Sequence, residues 1–396
     1  MANIQELENA MPVGPLKLIV HPSMAKMGDT INKYLVEFRK VVNNESVKKD
    51  PAFHGYIEND YLLKFNVPRF GSGEAKGQLK ESIRGKDIFI LVDVCNHSIT
   101  YKINGYENHM SPDDHYQDLK RIIAAVGGKA RRITVIMPFL YESRQHKRTS
   151  RESLDCALAL QELVNMGVDN IITFDAHDAR VQNAIPLNGF ETIQPAYQFI
   201  KGLLRNVEGL NIDAEHMMVV SPDEGGMSRA IYIANVLGLD MGMFYKRRDY
   251  TQVIDGRNPI VAHEFLGSSV EGKDIIIIDD MISSGESVLE VASGLKKRGA
   301  NKIFIFSTFG LFTAGLGRFD AAYEEGIIDR VLTTNLIYQT PELLQREWYI
   351  NCDMSKYIAY IIDTLNHDSS ISDLLNPVER IQSIVAKYNS GDMKID

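Results

Sequence analysis

The chain has 396 residues, 44% of them hydrophobic and 24% charged, and its 43 Lys and Arg against 52 Asp and Glu give a net charge of −9. At roughly 100 to 200 residues per domain, this length predicts two or three domains. The composition is typical of a globular protein and excludes disordered, collagenous and disulfide-scaffold classes. The acidic balance argues against a nucleic-acid binder, because such proteins neutralise phosphates with basic residues.

The cysteines and the apolar runs predict the compartment. Cys95, Cys156 and Cys352 lie far apart and form no CxxC pair, which favours a reducing compartment and argues against a structural zinc site. No apolar run approaches the ~20 residues that a membrane span requires, and the polar, acidic N-terminal segment is unlike a secretory signal. We therefore expect a cytoplasmic protein that binds neither nucleic acid nor membranes.

Short β-rich runs recur along the chain. They are near-continuous apolar runs, as expected of strands covered by helices on both faces, and they lie at residues 88–94, 133–137, 171–174, 217–220, 275–278 and 303–306. Helical patterns separate them. This alternation predicts an α/β architecture with mostly parallel sheets.

Three of the helices have recognisable starts. Ser111 and Pro112 predict the N-cap and first residue of a helix that continues to residue 123. Thr149 and Glu152 match a capping box and predict a second helix that ends at a glycine, residue 167. A third helix is predicted to run from about Gly285 to residue 299.

Three apolar strands end in aspartate followed by polar residues: FDAHD (174–178), VVSPDEGG (219–226) and IIDD (277–280). In open parallel sheets, ligands bind outside the carboxyl ends of the strands. Each aspartate could instead cap a turn or a helix, because Asp favours such positions. Three such ends in one chain favour a binding site.

The segment KDIIIIDDMISSGESV (273–288) is the most specific of these patterns. A buried strand leads to Asp279 and Asp280, and a loop of small residues then opens a helix whose backbone N–H groups can bind an anion. The acids suit hydrogen bonds to sugar hydroxyls, and the loop suits a phosphate. The segment therefore predicts a ribose-phosphate pocket formed by Asp279, Asp280, Ser283, Ser284, Gly285 and Ser287. The alternative is a solvated acidic turn. This order of parts resembles the phosphoribosyltransferase-type fold.

Further segments narrow the resemblance to the ribose-phosphate pyrophosphokinases, also called phosphoribosyl pyrophosphate synthetases. The segments occur in family order: PRFGSGEAKGQLKESIRG (68–85), YESRQHKRTSRES (141–153), FDAHDARVQNAIP (174–186), VVSPDEGGMSRA (219–230), YKRRDY (245–250) and the loop after Asp280. The resemblance implies transfer of the β,γ-diphosphoryl group of ATP to the anomeric hydroxyl of ribose 5-phosphate, with release of AMP. It also implies two phosphoribosyltransferase-like α/β domains, at residues 1–188 and 189–396, with a C-terminal helical tail.

The resemblance also assigns roles to individual residues. It implies a Mg²⁺ site at His177 and Asp223, and catalytic roles for His177, Lys246 and Arg248. It implies an ATP site to which the same chain contributes Arg144, Gln145 and His177. A neighbouring subunit of a homo-oligomer would complete its adenine pocket with Phe70 and Glu74.

Several positions depart from the family pattern. Ser283 replaces the aspartate of the phosphate loop, Glu286 replaces a glycine, and His146 follows the Arg-Gln pair in place of an aspartate. Residues 95–114 form a longer stretch than the family's equivalent, and further residues occur near 44–62 and after 366. These departures leave three alternatives open: a diphosphokinase for a larger ribose phosphate, a non-catalytic regulatory homologue, and a base phosphoribosyltransferase.

Overall fold

The computed structural model describes residues 11–41, 53–248 and 260–391. The chain forms two compact units, and the first comprises Met1–Gln194, Asn335–Tyr338 and Asp353–Asn376. The second comprises Pro195–Thr334, Gln339–Cys352 and Pro377–Asp396. The domain boundary predicted after residue 188 stays a prediction. Within the described ranges, no helix has the length and hydropathy of a transmembrane span.

The strands of the described residues are numbered in chain order. They are β1 (Leu16–Val20), β2 (Phe65–Asn66), β3 (Gln78–Leu79), β4 (Asp87–Leu91), β5 (Thr100–Ile103), β6 (Tyr106–His109), β7 (Arg132–Ile136), β8 (Asn170–Phe174), β9 (Gly189–Ile193), β10 (Met217–Ser221), β11 (Asp240–Arg248), β12 (Ile260–Leu266), β13 (Asp274–Ile282), β14 (Ile303–Gly310), β15 (Arg330–Thr334) and β16 (Tyr349–Cys352). The six predicted strands are confirmed as β4, β7, β8, β10, β13 and β14.

The α-helices of the described residues are numbered in the same way. They are α1 (Ala25–Val41), α2 (Pro112–Val126), α3 (Asp155–Asn165), α4 (Ala196–Asn206), α5 (Met227–Leu237), α6 (Glu286–Lys296), α7 (Gly317–Glu324), α8 (Ser355–Asn366), α9 (Ser372–Leu375) and α10 (Val378–Asn389). The predicted first and third helices are confirmed as α2 and α6, although α6 ends at Lys296 rather than at residue 299.

The first unit contains a five-stranded sheet among its described residues, in the order β1-β4-β7-β8-β9. All neighbouring strands in it are parallel. Helices α2 and α3 cover one face and bury an apolar core with β4 and β7. Ser111 caps α2, as predicted. Its hydroxyl accepts a hydrogen bond from the Asp114 N–H at 3.2 Å, and the Asp114 carboxylate accepts one from the Ser111 N–H at 3.0 Å.

The capping box predicted at Thr149 and Glu152 is wrong as a helix start. The Thr149 N–H does donate to the Glu152 carboxylate at 3.2 Å, but the chain continues as a loop and α3 begins at Asp155. The Gln145 side-chain amide donates to the Ser153 carbonyl oxygen at 2.7 Å. This bond lies within the loop that continues to Ser153, so the pattern at Thr149 and Glu152 forms part of that loop rather than a helix start.

Helices α1 and α8 pack together in the first unit, although they lie near opposite ends of the chain. Phe38 stacks on Tyr360 with ring centroids 4.5 Å apart. The buried Arg39 guanidinium donates to Asp363 at 2.9 Å and to the side-chain oxygen of Asn366 at 2.7 Å. A buried charge needs such partners, so these contacts hold α8 in the first unit.

The second unit contains a seven-stranded sheet among its described residues, in the order β12-β11-β10-β13-β14-β15-β16. Its pairs are parallel except β11 and β12, which are antiparallel. Helices α4, α5 and α10 pack on one face and α6 and α7 on the other. Because both faces are covered, the central strands β10, β13 and β14 contain near-continuous apolar runs.

Candidate active site

Strand β13 carries both predicted sugar-binding acids within the strand itself. The strand continues past its predicted end to Ile282, because pairing with β14 persists to the Ile282 and Gly310 positions. Its pairing with β10 on the other side ends at Val220 and Ile277. Asp279 and Asp280 therefore lie where one neighbouring strand has already ended, which opens the edge of the sheet beside them.

The two acids lie in a strongly electronegative site. Asp280 is buried, and its N–H donates to the Asp279 carboxylate at 2.9 Å. Burial, followed by the charges of Asp280 and Asp223, raises the pKa of Asp279 well above its usual range. The buried Arg229 of α5 lies 3.9 Å from the Asp280 carboxylate and offsets part of this charge. Asp223, Asp279 and Asp280 thus interact electrostatically in the second unit.

Gly285 shapes the predicted phosphate loop for two reasons. It is the N-cap of α6 with a φ of +83°, a conformation that side chains other than glycine rarely adopt. A Cβ atom there would also lie 2.6 Å from Cζ of Phe319. The Ser283 carbonyl oxygen accepts a hydrogen bond from the Thr313 N–H at 2.9 Å, which links the phosphate loop to the segment after β14. The Glu286 N–H, the first of α6, donates to the Ser284 hydroxyl at 3.4 Å. N–H groups in the first turn of a helix can bind an anion.

Glu286 lies beside an arginine. Its carboxylate is 3.8 Å from the Arg318 guanidinium, and both side chains are more than half exposed. The ion pair gives this carboxylate a partner on the solvent-exposed surface. The departure from glycine at this position therefore leaves the loop geometry compatible with an anion.

The predicted metal-binding Asp223 lies in the turn between β10 and α5. Its carboxylate accepts the Gly225 N–H at 2.8 Å, and its carbonyl oxygen accepts the Ser221 hydroxyl at 2.6 Å. A Cβ atom at Gly226 would lie 3.2 Å from the Ile278 carbonyl oxygen. This close approach brings the turn against β13, beside the strand's acids.

Lys246 and Arg248 lie near the end of β11. Their backbones pair with those of His263 and Ile260 on β12, and the register shifts between Arg247 and Arg248. The predicted segment 245–250 is therefore a strand end as far as Arg248. The side chains of residues 246–248 and the rest of the predicted catalytic segment lie outside the described residues.

His177 follows β8 in the first unit and is exposed. It lies in a turn that begins with Asp175, whose φ of +40° is unusual for a residue with a side chain. The His146 ring lies 5.3 Å from the His177 ring, centroid to centroid, and its Nε2 is 3.6 Å from the Asp178 carboxylate. His146, which replaces the family's aspartate, therefore lies beside the predicted metal and ATP residue.

Arg144 and Gln145 precede His146 in the loop between β7 and α3. Arg144 is exposed, and its charge opposes the rise in the pKa of Cys95 that burial and Asp93 cause. The Gln145 side-chain amide donates to the Ser153 carbonyl oxygen at 2.7 Å, so it stabilises the loop. Its predicted contact with a nucleotide stays a prediction.

Phe70 and Glu74 lie in a tight turn between β2 and β3. The Phe70 N–H donates to the Glu74 carbonyl oxygen at 2.7 Å, and the Ser72 hydroxyl donates to the Glu74 carboxylate at 2.9 Å. The Phe70 side chain is 52% exposed, and Glu74 is also exposed. An aromatic ring held in this way on a short hairpin can stack on a ligand.

Sequence reasoning missed the two arginines that organise these regions. Arg229 stands in the matched segment VVSPDEGGMSRA, and its position in the first turn of α5 could have indicated a partner for the strand acids. Arg69 precedes Phe70 and forms an ion pair with the buried Asp118 at 2.7 Å. No local pattern indicated that pair, because the partners come from separate elements.

Models of known protein families match most of the chain. The family model described as the N-terminal domain of ribose phosphate pyrophosphokinase matches residues 16–167. A phosphoribosyl transferase domain matches residues 188–310, and a phosphoribosyl synthetase-associated domain matches residues 259–376.

Individual proteins agree with these matches. The chain is 30% identical to a ribose-phosphate pyrophosphokinase of Ralstonia nicotianae over 281 residues, which cover 70% of this chain and 78% of the relative. It is 29% identical to that of Vibrio parahaemolyticus over 316 residues, covering 78% of this chain and 90% of the relative. A crystal structure of phosphoribosylpyrophosphate synthetase from Mycobacterium smegmatis aligns with a TM-score of 0.69 and 22% identity, over 89% of this chain and 99% of that one. The structural match confirms the predicted fold class.

Proposed function

This chain belongs to the ribose-phosphate pyrophosphokinase family, and we propose that it transfers the β,γ-diphosphoryl group of ATP to ribose 5-phosphate. The anomeric oxygen of the sugar forms a bond to the β-phosphorus, and the bond from that phosphorus to the oxygen shared with the α-phosphate breaks. The hydroxyl proton is lost and AMP leaves. One observation carries the proposal. The same chain contains the family's N-terminal domain and, in its second unit, the two acids of β13 followed by the phosphate loop and α6.

The second unit supplies the proposed ribose-phosphate site. Asp279 and Asp280 accept hydrogen bonds from sugar hydroxyls at the opened edge of β13. The N–H groups at the start of α6 hold the 5-phosphate, helped by the hydroxyls of Ser283, Ser284 and Ser287. The Glu286–Arg318 ion pair supports this assignment, because it gives the additional carboxylate a partner other than the phosphate.

We assign the ATP site to Arg144, Gln145 and His177, with Phe70 and Glu74 supplied by a second subunit of a homo-oligomer. The exposed side chains of Arg144 and Phe70 support this assignment, since guanidinium and phenyl groups both stack on an adenine ring. The hairpin carrying Phe70 presents the ring outward, as a shared pocket requires.

Lys246 and Arg248 are the proposed catalytic cations. Displacement at the β-phosphorus spreads negative charge over the transferring group, so catalysis depends on positioned positive charge. Their place near the end of β11, in the sheet that also contains β13, supports these roles.

We propose Mg²⁺ as the metal, with Asp223 and His177 as its protein-side groups. In the described residues, no group of three or more His, Cys, Asp or Glu side chains is arranged to hold a metal ion. Mg²⁺ fits such a protein, because it is commonly held by one or two protein groups together with substrate phosphates. The carboxylate of Asp223 matches its preference for oxygen, whereas the imidazole of His177 suits softer metals better. When bound, the metal neutralises charge on the phosphates.

The test is direct. Purified protein is mixed with ATP, Mg²⁺ and ribose 5-phosphate, and AMP is measured by chromatography. We expect AMP in step with a product whose ³¹P NMR spectrum shows a new diphosphate on the sugar. AMP formed with a nucleotide-linked ribose phosphate but not with ribose 5-phosphate would replace this acceptor with the larger one.

We also propose a cytoplasmic location, which the three free cysteines support.

A further inference from the structure

The stretch at 95–114, which we expect to be longer than the family's equivalent, contains the β5–β6 hairpin. Strands β5 and β6 pair from Thr100 with His109 to Ile103 with Tyr106. We propose that the β5–β6 hairpin positions the Phe70 hairpin, residues 68–77, for binding the adenine of ATP. The inference rests on the proposed role of Phe70 in ATP binding and adds the elements that hold Phe70 in place.

The Arg69 guanidinium connects three parts of the first unit. It donates to the Asp118 carboxylate of α2 at 2.7 Å and lies over the Tyr101 ring of β5, 4.5 Å from its centroid. It also donates to the Gly73 carbonyl oxygen at 3.4 Å, across the turn that carries Phe70. Because Arg69 immediately precedes Phe70, fixing its side chain restricts the backbone of the predicted adenine contact.

Tyr101 is itself held in place. Its hydroxyl donates to the Asp114 carboxylate at 3.1 Å, and Asp114 belongs to the capping box that starts α2. The ring thus lies between the guanidinium and a structured helix end. A cation over an aromatic face that is partly shielded from water is attracted more strongly than one at an open surface.

The β5–β6 hairpin also contacts the turn that carries Phe70 directly. The Asn104 N–H donates to the Gly71 carbonyl oxygen at 3.1 Å. A Cβ atom at Gly73 would lie 2.9 Å from Cδ1 of Ile103, so the tip of the hairpin packs closely on the turn. These contacts flank Phe70 on the chain without covering its ring.

Helix α2 is the common base of both hairpins. A Cβ atom at Gly77 would lie 2.8 Å from the Arg121 carbonyl carbon, so the second strand of the Phe70 hairpin lies directly on this helix. Burial raises the pKa of the Asp118 carboxyl, but hydrogen bonds from His21 and Arg121 and the charge of Arg69 outweigh burial and lower the pKa overall. Because the Asp118 carboxylate stays ionised, it keeps its ion pair with Arg69.

The expected consequence is preorganisation. The ladder between β2 and β3 is only two residues long, and a hairpin this short is marginal by itself. A loop that must become ordered on binding loses affinity. Holding Phe70 before ATP arrives improves ATP binding in the ground state. Loss of this support should therefore raise the KM for ATP and leave kcat and the KM for ribose 5-phosphate nearly unchanged.

The experiment uses the full chain and the variants Tyr101→Ala, Tyr106→Ala and Phe70→Ala. Tyr106 lies on the same hairpin but is 78% exposed, so Tyr106→Ala is the matched control. We expect Tyr101→Ala to raise the KM for ATP about five- to tenfold, as loss of a cation–π contact and its neighbours allows. Tyr106→Ala should match the wild type, and Phe70→Ala should raise the KM for ATP at least as much as Tyr101→Ala.

A double variant separates a positioning role from an independent one. If Tyr101 acts through the Phe70 hairpin, Phe70→Ala with Tyr101→Ala should have the same KM for ATP as Phe70→Ala alone. An unchanged KM for ATP in Tyr101→Ala, or equal changes in both KM values, overturns the inference while the activity stands. No effect of Phe70→Ala overturns it together with the assigned role of Phe70. Absence of AMP release by the wild type refutes the proposed function itself.

Discussion

Replacing Gly285 by alanine tests the geometry proposed for the phosphate loop. The residue has a φ of +83° at the start of α6, and a Cβ atom there would lie 2.6 Å from Cζ of Phe319. Phe319 is fully buried and packs on the Trp348 ring, with centroids 5.5 Å apart. The ring cannot move aside without disturbing the core, so the loop or the helix start must move instead.

Two costs add in this variant. A left-handed backbone costs a residue with a Cβ atom about 1 to 2 kcal/mol, and overpacking a filled core costs about 1 to 3 kcal/mol. We therefore expect Gly285→Ala to lower the free energy of unfolding by about 2 to 5 kcal/mol. The displaced N–H groups of α6 should also raise the KM for ribose 5-phosphate more than the KM for ATP.

Urea denaturation of matched variants separates the two costs. Gly315 has a φ of +77° with nothing within 4 Å of its Cβ position, so Gly315→Ala measures backbone strain alone. Gly285→Ala should lose more stability than Gly315→Ala, and adding Phe319→Leu should cost less in the Gly285→Ala background than in the wild type. Equal losses in the two alanine variants, with independent effects of Phe319→Leu, would refute the close packing of Gly285.

Three further changes test other parts of the site. His177→Ala and Lys246→Ala should each lower kcat at least about tenfold with unchanged thermal unfolding, as expected of groups that act in the transition state. Glu286→Gln should change the KM for ribose 5-phosphate by less than about twofold, because the carboxylate already pairs with Arg318 at the exposed surface. Burial raises the pKa of Asp93 to about 7, so the folded state binds this proton more tightly than the unfolded state. Stability from this group is therefore present below about pH 4 and lost as the pH rises to about 7, and Asp93→Asn should remove that decline in urea denaturation.

Each of these predictions has a contradicting outcome. His216→Ala and Lys297→Ala serve as exposed controls of the same residue types and should retain wild-type rates. Wild-type turnover in both His177→Ala and Lys246→Ala refutes the catalytic assignment. A large fall in the KM for ribose 5-phosphate on Glu286→Gln shows that the carboxylate faces the sugar phosphate. An identical pH dependence in Asp93→Asn assigns the decline to other groups.

The sequence by itself determined the local elements that build the site. Continuous apolar runs predict the buried parallel strands, because strands covered on both faces need no polar side. The Ser111 cap of α2 and the glycine at the start of α6 depend on residues a few positions apart, so their signals are legible in the chain. The ordered set of polar segments, read together, was enough to predict the fold and the family.

The tertiary structure decided whatever depends on partners that are distant in the chain. Pairing with β14 extends β13 past its two acids, Asp279 and Asp280. The pKa of Asp279 depends on burial and on Asp223 from another strand end. Desolvation and long-range contacts arise only when separate segments pack together, so the chain's local patterns do not contain them.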